Sequence, residues 1–127
     1  MSISKFDIDN QRGRSPDSQM KKKMLQKLYH GFVQLHILHH TRQEPVYGAW
    51  MMEELEKHGY NIGPGTLYPL LNKMEQSGLL TKKKQIVNGK VRKYYSITSL
   101  GIEVFIDAGK KAAELFHEIE GTKNDKI

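Results

Sequence analysis

Residues 63–80 read "GPGTLYPLLNKMEQSGLL", and the fold turns on how this stretch is taken. Leu67, Leu70, Leu71 and Met74 recur at i, i+3, i+4 and i+7, one face of a helix. Pro64 suits the first helical position, where its missing N–H would be unpaired in any case. Pro69 suits its place less well. Inside a helix it removes a donor and crowds the carbonyl four residues back, a penalty of roughly 3 kcal/mol relative to alanine. Either the helix starts near Leu67 and Pro69 lies in a permissive first turn, or the proline is kept for what it does to the outward face.

That face carries Gly65, Thr66, Tyr68, Pro69, Asn72, Lys73 and Gln76. Gly65 has no side chain, so amides at the helix start are open to a phosphate, which the positive end of the helix dipole favours. The Pro69 ring presses on the Gly65 carbonyl and fixes how the first turn is presented. Asn72 can pair bidentately with adenine, and Lys73 with guanine or a phosphate. Tyr68 and Thr66 offer hydroxyls to phosphates, and Thr66 also offers a methyl to thymine. Each residue also fits a solvated surface.

Upstream, residues 47–58 form a second amphipathic segment with Met51, Met52 and Leu55 as its core and Gly48 permitting close packing. Gly59 fits the left-handed position that closes helices. Before it, residues 20–41 place Leu25, Leu28, Phe32 and Leu35 on a stripe widened by Tyr29, Val33, Ile37 and Leu38. A stripe that wide is expected to face both its own domain and a partner chain. Pro45 ends it, because the residue before proline avoids helical dihedrals. Residues 1–19 are polar and aperiodic, a mobile arm in which Arg12 and Arg14 can reach a minor groove or simply stay disordered.

Downstream the period changes to two. Residues 79–87 and 90–97 flank Asn88-Gly89, a strong hairpin signal because both residues tolerate positive φ. The second strand puts Val91, Tyr95 and Ile97 on one face and Arg92, Tyr94 and Ser96 on the other. Thr98 can cap a last helix over 99–120, followed by a polar tail over 121–127. The expected fold is mainly α with a small β-hairpin. It comprises a winged helix-turn-helix domain over 20–98 and a C-terminal dimerisation helix over 99–120.

Charge points the same way. The 127 residues carry 20 Lys and Arg against 14 Asp and Glu. Between Pro64 and Thr98 there are seven basic residues and one acidic one, Glu75, so the whole net charge of +6 falls in about a quarter of the chain. Such a segment is the footprint of a phosphate-binding surface, or of a solvated lysine-rich hairpin. No cysteine is present, which excludes thiolate chemistry, disulfides and cysteine-ligated zinc. No apolar run approaches the roughly 20 residues needed to span a bilayer, and no signal pattern opens the chain. The expected location is the cytoplasm, with no membrane partner.

At "VYGAWMMEELEKHGYNIGPGTLYPLLNKMEQSGLL" and the later "RKYYSITSLG" the sequence resembles the PadR family of bacterial transcriptional regulators. The resemblance covers about residues 35–103, and its most specific parts are "PGTLYP" and "RKYY". It implies a homodimeric repressor on double-stranded DNA, at an inverted-repeat operator, released by a small hydrophobic or aromatic effector. The third helix would enter the major groove and the wing would touch the flanking backbone. The DNA-contacting set expected here is Tyr47, Gly65, Thr66, Tyr68, Pro69, Asn72, Lys73, Lys90, Arg92 and Lys93. Two departures stand out: Tyr47-Gly48-Ala49 replaces the usual His-Gly-Tyr, and Gly63 replaces a usual capping serine.

On the last helix, Ile102, Phe105, Gly109, Ala112, Phe116 and Ile119 are spaced 3, 4, 3, 4 and 3, a heptad seam. This is the expected dimer interface, unless the helix folds back on its own domain against the first. Trp50, Phe105 and Phe116 are the aromatics expected near an effector; Trp50 equally fits core packing or the interface with the first helix. "HILHH" sets His36, His39 and His40 at i, i+3 and i+4. His36 and His40 can share a zinc or nickel ion, which makes a metal-responsive regulator an alternative on the same scaffold. With no adjacent carboxylate, the cluster reads as core edge or solvated surface, His39 continues the core stripe, and no metal site or cofactor is expected. A winged-helix module for protein or RNA is a further alternative. Tyr94 and Tyr95 face opposite ways, so at most one could stack a base. No nucleophile elbow or phosphate loop occurs, which argues against an enzyme.

Overall fold

The computed structural model describes residues 16–125. Arg12 and Arg14 lie outside the described residues. Among those described, four helices pack with a three-stranded antiparallel sheet whose hairpin end is exposed.

The first helix, α1 (Pro16–Gln43), starts earlier than its hydrophobic stripe suggested, so residues 16–19 are its first turn and not part of an arm. Proline is favoured at such a start. A two-residue strand, β1 (Val46–Tyr47), follows and leads directly into α2 (Gly48–Lys57). The strand was not foreseen. Tyr47, expected as the first helical residue, is extended at φ −106° and ψ 160° and caps α2 from outside. Gly59 closes that helix at φ +87°.

Helix α3 (Pro64–Gln76) begins at Pro64, with Gly63 as an extended cap lacking a side chain to bond the first turn. The amides of Thr66 and Leu67 both donate to the Gly63 carbonyl, at 3.1 and 3.0 Å. Pro69 is therefore an interior proline in an unbroken helix, which settles the alternative start at Leu67. Strands β2 (Leu80–Val87) and β3 (Lys90–Ile97) pair along their whole length around Asn88 and Gly89, at φ 53° and 76°. The strand order is β1-β3-β2, with Val46 opposite Tyr95 and Tyr47 opposite Tyr94. Helix α4 (Ser99–Asp125) is capped by Thr98, whose Oγ1 accepts from the Gly101 amide at 3.0 Å. It continues past residue 120, so residues 121–125 extend the helix where a polar tail was expected.

The core joins Val33, Ile37 and Leu38 of α1 to Met51 and Leu55 of α2, and to Leu67, Leu70, Leu71 and Met74 of α3. Val46, Leu80 and Tyr95 close it from the sheet. On α1 the buried residues are those that widened the stripe. Leu28 and Phe32, from its centre, are 52% and 44% exposed, so the helix does present a second apolar face. His39, expected in the core stripe, is exposed, and its Nε2 accepts from Gln43 Nε2 at 3.2 Å. No helix among the described residues is long and apolar enough to cross a membrane.

Candidate nucleic-acid interface

Four elements, from three segments distant in sequence, build one groove. Tyr47 of β1, Gly48 and Ala49 of α2, Tyr68 and Asn72 of α3, and Val91, Arg92, Lys93 and Tyr95 of β3 line a volume of about 430 Å³. No carboxylate is among these walls. Strand β3 lines the groove from both faces, Val91, Lys93 and Tyr95 on one and Arg92 on the other, and sheet register sets the surroundings of Arg92. Tyr47 and Tyr94 are direct partners across β1 and β3 and Arg92 lies two residues on, so all three side chains share the face opposite buried Tyr95.

Aromatic contacts fix this cluster. The Arg92 guanidinium carbon lies 4.3 Å from the centroid of the Tyr47 ring, a cation–π contact worth about 0.5–1 kcal/mol at an exposed site. Tyr47 and Tyr94 meet edge to face at 5.5 Å. Arg92 is thus held at the mouth of the groove, while Lys93 stands exposed beside it. Across the groove, the Tyr68 ring packs over Gly48 so closely that a Cβ there would lie 2.9 Å from its Cζ. The glycine in the Tyr-Gly-Ala segment is what lets Tyr68 lie along α2. Of the two tyrosines on β3, Tyr95 is the core residue, and burial pushes its hydroxyl above the ordinary tyrosine pKa.

Five of the ten expected DNA-contacting residues therefore meet in this groove: Tyr47, Tyr68, Asn72, Arg92 and Lys93. Gly65, Pro69 and Lys73 are exposed on α3 outside it, and Lys90 is exposed at the start of β3. Thr66 belongs elsewhere. It borders a separate cleft of about 330 Å³ between α1 and the α2–α3 link, with Tyr29, Tyr60 and Ile62. A Cβ at Gly65 would meet nothing within 4 Å, so packing within the chain does not require that glycine. Val91 and Ala49 line the groove without having been expected there. Nothing in their residue types marks them.

The expected effector aromatics are not gathered in one place. Phe105 lines a cleft of about 300 Å³ with Phe32, Leu35, His36, His39 and Tyr60. Trp50 packs edge-on against His40 at 5.3 Å, at the junction of α1 and α2. Phe116 is 59% exposed far along α4.

A short turn linking α2 to α3, an exposed polar face on α3 and a basic two-stranded wing define a winged helix-turn-helix protein. The chain belongs to the PadR-like family of transcriptional regulators, whose family model matches residues 37–106. It is 42% identical over 89 residues to the transcriptional regulator Rv3488 of Mycobacterium tuberculosis, covering 70% of this chain and 83% of that one. A PadR family transcriptional regulator from Eggerthella lenta has a similar structure, with a TM-score of 0.70 at 29% identity over 84% of this chain and 95% of the other. A PadR-like transcriptional regulator from Bacillus cereus superposes with a TM-score of 0.68 at 29% identity, over 75% and 94% of the two chains.

Proposed function

We propose that this regulator is a repressor that binds an inverted-repeat operator as a homodimer. The observation that carries the reading is the carboxylate-free groove between α3 and the wing, where Asn72 and Tyr68 face Arg92 and Lys93. Phosphate contacts orient a protein on the duplex and base-edge contacts give it sequence preference; the two sides of the groove offer one kind each. Lys82, Lys83 and Lys84, exposed along β2, extend the positive surface beyond α3. Gly65 fits the same reading, since its open Cβ position leaves room for something outside the chain to approach the helix start.

Two recognition helices related by a two-fold axis read half-sites about one helical turn, roughly 34–36 Å, apart. The second subunit pairs through α4, with the exposed apolar face of α1 beside it. Release by a small aromatic effector rests on the aromatic walls of the Phe105 cleft and on Trp50 where α1 meets α2. A regulator of this kind works in the cytoplasm, where bacterial DNA is.

The test is selection of bound fragments from a random duplex pool, followed by affinity against salt for the selected site and a scrambled one. A palindromic motif with a clear preference over the scrambled duplex is expected. Equal affinity for every duplex at physiological salt overturns the operator reading. For the effector, ligands that release DNA should change Trp50 fluorescence, and Trp50→Phe should respond abnormally. A normal response from that variant, with no fluorescence change in the parent, removes Trp50 from sensing.

A further inference from the structure

Helix α1 offers His36 and His40 at i, i+4 spacing, and α2 offers Glu54 with His58, its C-cap residue, at the same spacing. The two pairs face each other across the α1–α2 junction. Donor nitrogens of His36, His40 and His58 all lie within 4.8 Å of one another. The rings of His36 and His58 are 4.5 Å apart, and those of His36 and His40 are stacked at 6.2 Å. Glu54 Oε2 lies 3.4 Å from His58 Nε2 and 3.8 Å from His40 Nε2. Lys57 approaches the other carboxylate oxygen, Oε1, at 3.7 Å, which leaves Oε2 for the imidazoles.

One atom in this cluster is anomalous. His40 Nε2 is buried and has no hydrogen-bond partner among the described residues. Buried polar atoms are rarely left so, because an unmet one costs about 1–3 kcal/mol. Glu54 Oε2, 3.8 Å away, is too far for a hydrogen bond to this atom but at a separation suited to two ligand atoms flanking an ion. We propose that His36, His40, His58 and Glu54 bind one divalent transition-metal ion of the zinc, cobalt or nickel type, through three imidazole nitrogens and one carboxylate oxygen. Three nitrogens and an oxygen form a donor set that such ions accept, and four ligands complete a tetrahedral zinc shell.

The geometry needs only side-chain closure. Zinc–nitrogen bonds of about 2.0–2.1 Å put donors of a tetrahedral site about 3.3 Å apart, so a gap of 4.8 Å among the three histidines must shrink by about 1.5 Å. Glu54 Oε2, which lies beside His40 and His58, must turn toward His36 as well. His58 is half exposed and can swing in, and its open side gives an ion a way to enter. Burial, then the neighbouring histidines, hold the His36 imidazole below its ordinary pKa range; burial and His39 do the same for His40, with Glu54 opposing in both. A bound ion would tie α1 to the C-terminal end of α2.

The site stands without reference to DNA and is tested without it. Full-length protein is titrated with Co²⁺, which reports four-coordinate ligation by strong visible absorption, and Zn²⁺ is then added as competitor. One equivalent of Co²⁺ should give a saturable tetrahedral spectrum that Zn²⁺ abolishes. His58→Gln and His40→Gln should each weaken binding at least about tenfold, the smallest effect usual even for residues that only support a ligand. His39→Gln should leave the titration unchanged, since that ring is exposed and bonded to Gln43. His58→Gln changes a surface side chain, so its fold is secure even if the His40 variant is damaged. Weak six-coordinate spectra, or binding that His58→Gln leaves intact, overturn the proposal. Either result leaves the operator reading untouched, because no DNA is present.

Discussion

Gly65 and Pro69 are the two residues of α3 that local physics would replace first. Both are exposed, and nothing in the chain packs where a Gly65 Cβ would lie. Alanine at position 65 should gain up to about 1 kcal/mol of helix stability. Alanine at position 69 restores the N–H that would reach the Gly65 carbonyl, a gain of up to about 3 kcal/mol. The two are coupled through that carbonyl, so their gains should not add. If the pair shapes a phosphate-binding first turn, Gly65→Ala and Pro69→Ala should raise the melting temperature while weakening operator binding. Stabilised variants with full affinity would show that the pair has no part in binding. Gly48 and Gly101 make the opposite case. The atoms nearest a Cβ at Gly48 belong to the Tyr68 ring, which can move, whereas one at Gly101 runs into the backbone carbonyl of Leu79. Gly101→Ala should therefore cost about 1–3 kcal/mol, the range for overpacking. Gly48→Ala should cost less in melting temperature and show its effect in DNA affinity, through displacement of Tyr68.

At the scale of elements, α3 and the wing should fail in different ways. Arg92→Ala or Lys93→Ala should weaken binding to all sequences alike, and each lost phosphate contact should flatten the log–log salt slope by about 0.9. Asn72→Ala should keep the slope and relax preference at one base pair, by about 1–3 kcal/mol if its contact is bidentate. Competition titrations at several salt concentrations separate the two; a steep sequence-specific loss from Lys93→Ala would reverse the assignment. These elements were readable because strong local signals bound them: Pro64 opens α3, Asn88-Gly89 turns the hairpin and Thr98 caps α4. What was not readable depends on distant pairing. Two residues make no strand by themselves, and Val46 and Tyr47 become β1 only because β3 lies alongside. His58 carries no sign of the α1 histidines in its own surroundings, and Glu54 approaches His40 only once α1 and α2 pack. Thr66 shares the exposed side of α3 with Tyr68, yet borders a different cleft, because α1 passes the start of that helix.

The whole molecule leaves apolar surface that one chain does not cover. In α4, Ile102, Phe105 and Ala108 are half-buried, and every residue from Gly109 to Glu120 is exposed. The expected seam therefore divides. Its first two members lie against the chain's own domain, where Phe105 packs 6.0 Å from the His39 ring. Phe116 and Ile119 stand 59% and 57% exposed, and Met20, Met24, Leu28 and Phe32 form a second exposed row along α1. Large contiguous apolar patches of this kind mark association surfaces, and a second copy of the chain brings the same rows, as a two-fold interface requires. The division makes the dimer testable without damaging the monomer. If the chain works alone, Phe116→Ala and Ile119→Ala are surface changes and should alter stability by no more than about 0.5 kcal/mol. If the rows meet across a two-fold axis and are fully buried there, each truncation should cost about 2–5 kcal/mol, and melting should become concentration-dependent. Sedimentation of the parent protein and the double variant, at tens of micromolar, is the measurement. A dimeric parent and a folded, monomeric variant with lost operator affinity are expected. A monomeric parent at that concentration would remove both the α4 seam and the paired half-sites.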